Sequence, residues 1–276
     1  MIPAAFFTQI ATLAGKELRD RLRNRWVLAV ALVFTVFSLL ITYFGSAQQG
    51  LVGPRSLEFT ITSLVSLVIY LIPLIALLLG FDAVVGERER GTLELLLALP
   101  ISRLELLLGK FLGLAAALVL STCAGFALAA MLLWQYFGAS ATLYHYGGFV
   151  LSSALLGLVF LALALLISVL TRERTRASGL AIALWFFFVL VFDLALLGAL
   201  VATGGQWAGD WFAWVLLANP TDIYRILNVF SLEQLSTMFG LSDLLPAAFA
   251  SPLAMGGMLV AWIVLPLALA IWRFKP

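Results

Sequence analysis

The chain has 276 residues, of which 63% are hydrophobic and 11% charged, and its mean hydropathy is +1.11. This composition excludes an ordinary soluble domain, because a soluble surface needs a much larger share of charged side chains. A net charge of only +2, dispersed among apolar segments, excludes a nucleic-acid surface, and the single cysteine, Cys123, excludes an internal disulfide.

The N-terminal segment, residues 1–25, combines apolar side chains with a dense basic end. We expect an elbow helix that lies flat on the cytoplasmic leaflet, because its apolar side would enter the lipid while its basic residues meet anionic head groups. The alternative is an ordinary basic flank of the first membrane span. The basic residues concerned are Lys16, Arg19, Arg21, Arg23 and Arg25.

Six apolar stretches follow, each long enough to cross a hydrocarbon layer about 30 Å thick. The sequence therefore predicts an all-α integral membrane protein, with residues 1–276 forming one membrane domain. Because five more spans follow the first, we interpret the first as an uncleaved anchor rather than a signal peptide. The predicted spans are Trp26–Tyr43, Ile61–Phe81, Leu106–Trp134, Phe149–Leu170, Leu180–Val201 and Leu253–Trp272.

Lysine and arginine predict the orientation, because basic loops resist translocation across the membrane. With both termini in the cytoplasm, all but two of the 16 basic residues lie on the inner side, the exceptions being Arg55 and Arg225. This orientation makes residues 82–106 a cytoplasmic loop. It makes residues 202–252 a long outer loop.

The loop at residues 82–106 contains a charged stretch and then a leucine-rich stretch bounded by Gly91 and Pro100. We expect a short helix over Thr92–Leu99, with Thr92 as its cap and Pro100 as its end. Ser102 and Glu105 form a capping box that begins the third span. The short helix is too apolar for solvent and too short to cross a membrane, so we expect it to bind in a protein groove.

One ionisable residue, Asp193, lies deep within a predicted span. Charged groups at that depth are costly and usually face an aqueous cavity or the protein interior. Asp193 is therefore a candidate for the substrate path. A structural hydrogen bond to a neighbouring helix, or to a second copy of the chain in a dimer, explains it equally well.

The outer loop carries several tryptophans and then apolar residues at helical spacing around Pro220. This pattern predicts amphipathic helices lying at the outer interface. Ser231 and Gln234 form a capping box for a further helix.

Soft sulfur ligands suit Cu(I), so five residues are candidates for a copper path. Packing between helices explains the methionines, and an interfacial aromatic belt explains the tyrosines that flank the histidine. The candidates are Met255, Met258, Cys123, Met131 and His145.

The run from Gly86 to Lys110 resembles the first cytoplasmic loop of the six-span ABC exporter permeases. That loop has acidic residues, Gly-Thr, a leucine-rich coupling helix, Pro-Ile-Ser and a later Gly-Lys. The basic N-terminal segment, the six spans and the arginine-rich second inner loop agree with the same family. The resemblance implies an ATPase-coupling site formed by Glu87, Glu89, Gly91, Thr92, Leu93, Leu95, Leu96, Leu99 and Pro100.

Within this family the chain is similar to permeases that serve maturation of nitrous oxide reductase in denitrifying bacteria, a similarity suggested by the run from Asn219 to Leu227. It implies a homodimer in the bacterial inner membrane and two cytoplasmic ABC ATPase subunits that bind ATP and Mg. It also implies a periplasmic accessory protein on the outer loop, and copper or a sulfur species as cargo. The docking candidates are Trp207, Trp211, Trp214, Tyr224 and Arg225.

The chain lacks the pattern of an enzyme and of a bound cofactor. Gly109-Lys110 has no upstream glycine at phosphate-loop spacing and is followed by Phe111, so we expect ATP hydrolysis on a separate chain. The sole histidine, His145, lies in an outer loop, which excludes His-Glu-x-x-His and serine-histidine intramembrane proteases. Two functions remain open: export of a small or lipid-like species, and mechanical remodelling of a docked periplasmic protein. A passive channel is disfavoured by the coupling-loop pattern.

Overall fold

A computed structural model describes residues 4–23, 25–45, 53–54, 56–138, 142–204, 214–230 and 251–274. All regular structure in these parts of the chain is helical. The predicted capping box at Ser231 and Gln234, and the docking candidates Trp207 and Trp211, lie outside the described residues.

Among the described residues, six helices are long and apolar enough to cross a membrane, which confirms the six predicted spans. The third span is longer than expected because the Ser102–Glu105 capping box begins its helix before the apolar stretch. In chain order we number them the first to the sixth span: Trp26–Phe44, Leu57–Gly80, Arg103–Phe137, Gly147–Leu170, Arg174–Ala202 and Pro252–Arg273.

The two ends of this bundle differ in charge. Arg103 donates a hydrogen bond to the carbonyl of Phe274, so the start of the third span lies beside the end of the sixth. Arg174 forms an ion pair with Asp82, so the start of the fifth span lies beside the end of the second. We call this end the basic end, and the other the opposite end. The N-terminal helix, Ala4–Arg23, lies against the third span near the basic end.

The fourth span is the centre of the bundle. It packs against the second, third and sixth spans, and 72% of its most apolar stretch is buried. Its serine hydroxyls donate hydrogen bonds to backbone carbonyls of their own helix or form hydrogen bonds with polar groups of other elements. These hydroxyls are therefore paired although apolar side chains surround them. The fifth span is the least enclosed, with only 17% of its most apolar stretch buried.

The helix Pro220–Phe230, which we call the inserted helix, does not lie at an outer interface as the sequence suggested. It packs against the second, fourth and sixth spans, and Ile223 and Tyr224 are fully buried. Its start lies halfway down the bundle, because Asn219 donates to the carbonyl of Phe188 and Trp262 donates to that of Leu217. Both Phe188 and Trp262 are mid-span residues.

A π-helical turn at Phe187–Val191 explains how the fifth span receives the inserted helix. The wider turn pairs the Phe192 N–H with the carbonyl of Phe187, and the neighbouring carbonyl of Phe188 accepts from Asn219 and Thr221. A polar helix start can therefore be buried inside the bundle without an unpaired backbone group.

The N-terminal helix approaches the third span closely at two glycines, Gly109 and Gly113. A methyl group built on Gly113 would lie 2.6 Å from both the carbonyl oxygen of Ala14 and the Cβ of Glu17. Only glycine therefore permits this packing distance.

We expect Gly113→Leu to displace the N-terminal helix, because the added side chain meets rigid backbone of that helix. The measurement is thermal unfolding of the purified protein in detergent, with a Tm fall of several degrees as the expected result. Gly257→Leu is the matched control, because nothing lies within 4 Å of a Cβ at Gly257. Equal Tm values for the two variants contradict the packing described.

Candidate functional site

The cap of the short helix in the loop at residues 82–106 lies one residue before Thr92, the expected cap. Gly91, with φ of +70°, occupies the cap position, and the helix runs Thr92–Leu97. Thr92 is its first residue, and its hydroxyl donates to the carbonyl of Glu87 instead of capping the helix. The expected cap at Thr92 is therefore wrong, because a left-handed turn at glycine already reverses the chain there. We call Thr92–Leu97 the leucine helix.

The leucine helix has one buried and one exposed side. Leu93 is buried in the core and Leu96 is half-buried, whereas Leu95 is 70% exposed. Leu99, just beyond the helix, is 53% exposed. The structure thus contradicts a direct contact of Leu93 with a partner and leaves Leu95 and Leu99 accessible. Glu89, Gly91, Thr92 and Pro100 are also exposed.

The loop ends at the capping box that the sequence predicts. Ser102 accepts from the N–H of Glu105, and the Glu105 carboxylate accepts from the N–H of Ser102, which confirms the capping box. The carbonyl of Pro100 accepts a hydrogen bond from the Gln9 amide, 3.0 Å away. The loop is therefore attached to the N-terminal helix at its far end as well.

A buried ion triad joins three elements beneath the loop. Lys110 Nζ of the third span lies 2.9 Å from Glu17 Oε1 of the N-terminal helix and 2.6 Å from Glu87 Oε1 of the loop. The Lys110 side chain is only 3% exposed. We call these residues the Lys110 triad. Its two ion pairs explain why glutamate and Gly-Lys occur in the same motif, since Gly109 admits the N-terminal helix and Lys110 binds it.

Glu87 is buried, and its side chain forms an ion pair within the Lys110 triad. Its role in ATPase coupling stays a prediction. Within the described chain its second oxygen, Oε2, has no hydrogen-bond partner. Glu87 also lines a polar cleft of about 630 Å³ between the N-terminal helix and the loop, together with Lys16, Asp20, Arg21, Asp82, Arg90 and Arg174 among others.

The other side of the loop is attached to the turn between the fourth and fifth spans. Arg88 donates to the carbonyl of Thr171, and the N–H of Arg174 donates to Glu89 at 2.6 Å. Ser168 of the fourth span accepts from the N–H groups of Val84 and Val85. The loop therefore connects to four elements, and movement of the leucine helix would be passed to each of them.

A second polar network surrounds the inserted helix. Arg225 bridges two carboxylates, with 2.8 Å to Asp193 Oδ2 of the fifth span and 2.6 Å to Asp222 Oδ1 of its own helix. Asp193 is thus an ion-pair partner, as the structural interpretation of this residue expected. Tyr224 is fully buried and shares a 2.9 Å hydrogen bond with Ser153, so it cannot be part of a docking surface.

The five candidate copper residues lie on the third span, on the sixth span and in the turn before the fourth span. Met255 is buried in the core and Met258 is partly buried against it, near the opposite end. Cys123 and Met131 are exposed on the third span, and His145 makes an edge contact with Tyr144. Over the described residues, no three side chains from His, Cys, Asp and Glu come together as a metal site.

The sequence analysis did not identify Glu17 as a functional residue and assigned no role to Lys110. The signal for Lys110 was a lysine a full two turns inside an apolar helix, which requires a buried anion. The signal for the inserted helix was Asn219 before Pro220, a cap followed by the residue favoured at the first helical position. Asn219 Oδ1 accepts from the N–H of Thr221 at 3.0 Å.

Comparison with known proteins gives a consistent result. The model of the ABC-2 family transporter proteins matches residues 11–276. A Pseudomonas aeruginosa protein named as a probable ABC transporter permease protein NosY is 47% identical over 270 residues, covering 96% of this chain and 98% of the relative. A Stutzerimonas stutzeri protein of the same name is 45% identical over 271 residues, covering 97% and 98%.

We expect Lys110→Met to destabilise the protein, because it leaves the Glu17 and Glu87 carboxylates buried without a cation. Removing one partner of a buried ion pair costs about 3–5 kcal/mol. Thermal unfolding in detergent measures the effect, and Lys16→Met, an exposed lysine at the same cleft, is the control. Adding Glu17→Gln and Glu87→Gln to Lys110→Met should restore part of the lost Tm. An unchanged Tm in Lys110→Met contradicts the buried triad.

Proposed function

The chain belongs to the ABC-2 family of transporter proteins, and from this premise we propose that it is the non-catalytic permease subunit that receives force from a separate ATPase through its leucine helix. In this proposal the basic end faces the bacterial cytoplasm, both termini lie there, and the six spans cross the inner membrane. The distribution of lysine and arginine supports that orientation.

The exposed side chains of Leu95 and Leu99 are the observation that carries the proposal. They extend from a loop that is otherwise fixed by ion pairs and hydrogen bonds, at the charged end of the bundle. Burying a leucine is worth about 1.5–3 kcal/mol, so a hydrophobic groove on a soluble ATPase would bind this pair. The remaining exposed residues of the coupling site, Glu89, Thr92 and Pro100, would line the edge of that groove.

The connections of the loop support force transmission. A push on the leucine helix reaches the third span and the N-terminal helix through the Lys110 triad. It reaches the fifth span through Glu89 and Asp82, both bound to Arg174. The Lys110 triad is buried, and buried ion pairs hold a fixed geometry better than solvated ones, so little of the displacement would be lost along that route. Exposed Phe7 and Leu22 support contact of the N-terminal helix with lipid.

We propose the partners from the similarity to the NosY proteins. A homodimer of this permease would bind two cytoplasmic ATPase subunits of the NosF type, which hold ATP and Mg, and a periplasmic accessory protein of the NosD type. Delivery of copper or a sulfur species to nitrous oxide reductase would be the purpose of the assembly. Trp214 and Arg225, which are both accessible, remain candidate docking residues among those described, and the copper candidates remain a proposal for cargo.

Remodelling of a docked periplasmic protein is the second candidate function, and the inserted helix favours it. This helix is bound to the second, fourth, fifth and sixth spans and leads directly to the long segment that follows Phe230. Movement of the spans would therefore be transferred to the outer segment without any species crossing the membrane.

We expect Leu95→Asp to abolish ATPase binding while the permease still inserts, because a carboxylate cannot enter a hydrophobic groove. Gly91→Pro should have the same effect, since proline cannot adopt the positive φ found at Gly91. Co-purification of the co-expressed ATPase with tagged permease is the measurement. Leu253→Asp, an exposed leucine at the opposite end, is the control and should retain the ATPase. Normal ATPase recovery with both loop variants contradicts the proposal.

Reconstituted vesicles that contain permease and ATPase separate the two candidate functions. We expect ATP-dependent uptake of copper or a sulfur species if Asp193 lines a substrate path, and Asp193→Asn should reduce this uptake at least tenfold while the ATPase still binds. ATP-dependent release of a docked accessory protein without uptake favours remodelling. Uptake that is equal in wild type and Asp193→Asn removes Asp193 from the path.

A further inference from the structure

A pocket at the basic end is lined by the leucine helix and by the ends of the fourth and sixth spans. Its volume is about 480 Å³, and three of the residues that line it are arginines. Glu94 contributes the single carboxylate of its lining. We call this the arginine pocket, and its lining includes Arg88, Arg172, Arg273, Glu94, Leu93 and Leu97.

The three arginines form no ion pair within the described part of the chain. Arg88 is half-buried and donates to the backbone carbonyl of Thr171. Arg273 lies over the ring of Trp272, 4.8 Å from its centre. Burial first, and repulsion by Arg172 second, lower the pKa of the Arg88 guanidinium. An anion among the arginines would offset this repulsion.

The polar cleft between the N-terminal helix and the loop is less suited to an anion. Carboxylates line it together with its cations, and three of them already form ion pairs with Lys110 or Arg174. The carboxylates are those of Glu17, Asp20, Asp82 and Glu87. In the arginine pocket one carboxylate accompanies three arginines, so an incoming anion meets less repulsion there.

An apolar groove of about 510 Å³ continues from the arginine pocket along the sixth span. Trp272 lines the groove, and the next residue, Arg273, lines the pocket. On the fourth span Leu166 lines the groove and Val169 lines the pocket, less than one helical turn further on. We call this the sixth-span groove, and its lining residues are Leu166, Leu265, Pro266, Ala268, Leu269 and Trp272. A molecule with an anionic head and an apolar tail therefore meets a complementary surface along its length.

The arginine pocket lies at the level where a bilayer leaflet has its head groups. Arg273 ends the helix of the sixth span, and Arg172 follows the last residue of the fourth span by two positions. The sixth-span groove lies between these two spans, at the depth of the acyl chains. A phosphate accepts hydrogen bonds from several guanidinium groups at once, and basic pockets between spans bind anionic head groups in this way.

We infer that the arginine pocket and the sixth-span groove together bind an anionic phospholipid of the leaflet at the basic end. The phosphate lies among the three arginines, and one acyl chain lies in the groove. A zwitterionic lipid fits less well, because the arginines repel its ammonium group. Leu93 and Leu97 line the same pocket, so the lipid supports the inner side of the leucine helix. Binding of this lipid does not depend on the proposed ATPase contact.

Native mass spectrometry of the purified, delipidated full-length permease in detergent tests the head-group site. Phosphatidylglycerol is the probe, and phosphatidylethanolamine and glycerol 3-phosphate are the comparison ligands. Arg172→Gln combined with Arg273→Gln removes two charges from the pocket, and both residues are exposed, so the fold should tolerate the change. Arg90→Gln combined with Arg176→Gln is the matched control, because both are exposed at the basic end and neither lines the pocket.

A second pair of variants tests the acyl-chain site. Ala268→Trp fills the sixth-span groove from an exposed position. Ala124→Trp is its control, because Ala124 is an exposed alanine of the third span that lines neither the pocket nor the groove. The Tm of each variant without added lipid shows that it is folded.

We expect the Kd for phosphatidylglycerol to rise about tenfold in the pocket variant and less than about twofold in its control, since two charges facing the phosphate are lost only in the first. Ala268→Trp should weaken binding, and Ala124→Trp should leave it unchanged. Equal Kd values for the pocket variant and its control overturn the inference, and so does equal affinity for phosphatidylethanolamine. Glycerol 3-phosphate that binds as tightly as phosphatidylglycerol, with no effect of Ala268→Trp on either, identifies a site for free phosphate and also overturns it.

Discussion

Burial of one lysine, Lys110, imposes the arrangement of the basic end. An ammonium group with 3% exposure must have anions beside it, and Glu17 and Glu87 supply them from two different elements. The N-terminal helix and the loop are therefore held where their carboxylates reach the same point. Glycines at positions 109 and 113 allow the close approach that this geometry needs. The position of the leucine helix follows from the triad, because Glu87 lies only four residues before the turn at Gly91.

A related constraint shapes the interior near the opposite end. Polar groups inside an apolar bundle must find partners in the protein, since lipid offers none. The π-helical turn frees the carbonyl of Phe188 for Asn219, and Ser152 and Ser153 pair with Asn228 and Tyr224. These bonds fix the inserted helix among the spans. The fifth span, which contains the π turn, consequently joins both polar networks, the first at Arg174 and the second at Asp193.

The protein thus separates fixed from accessible groups. Most charges of the loop form ion pairs or hydrogen bonds within the chain, whereas the side chains of Leu95 and Leu99 are exposed. Beside the fifth span the accessible groups include charges, those of Asp193 and of Arg225 from the inserted helix. Each exposed group differs in polarity from its surroundings. The leucines are apolar and lie at the charged end, and Asp193 and Arg225 are charged and lie among apolar spans. The proposed ATPase contact would use the exposed leucines of the loop.

The sequence by itself determined the six spans, the capping box at Ser102 and Glu105, and a short leucine-rich helix before Pro100. These features depend on local hydrophobicity and on residues within one or two turns of each other. Only the tertiary structure decided that Glu87 is buried, that Tyr224 belongs to the core, and that the helix after Pro220 enters the bundle. Their partners, Lys110, Ser153 and Phe188, are 23, 71 and more than 30 residues away. Contacts at such separations depend on how helices pack, which hydrophobic periodicity does not encode.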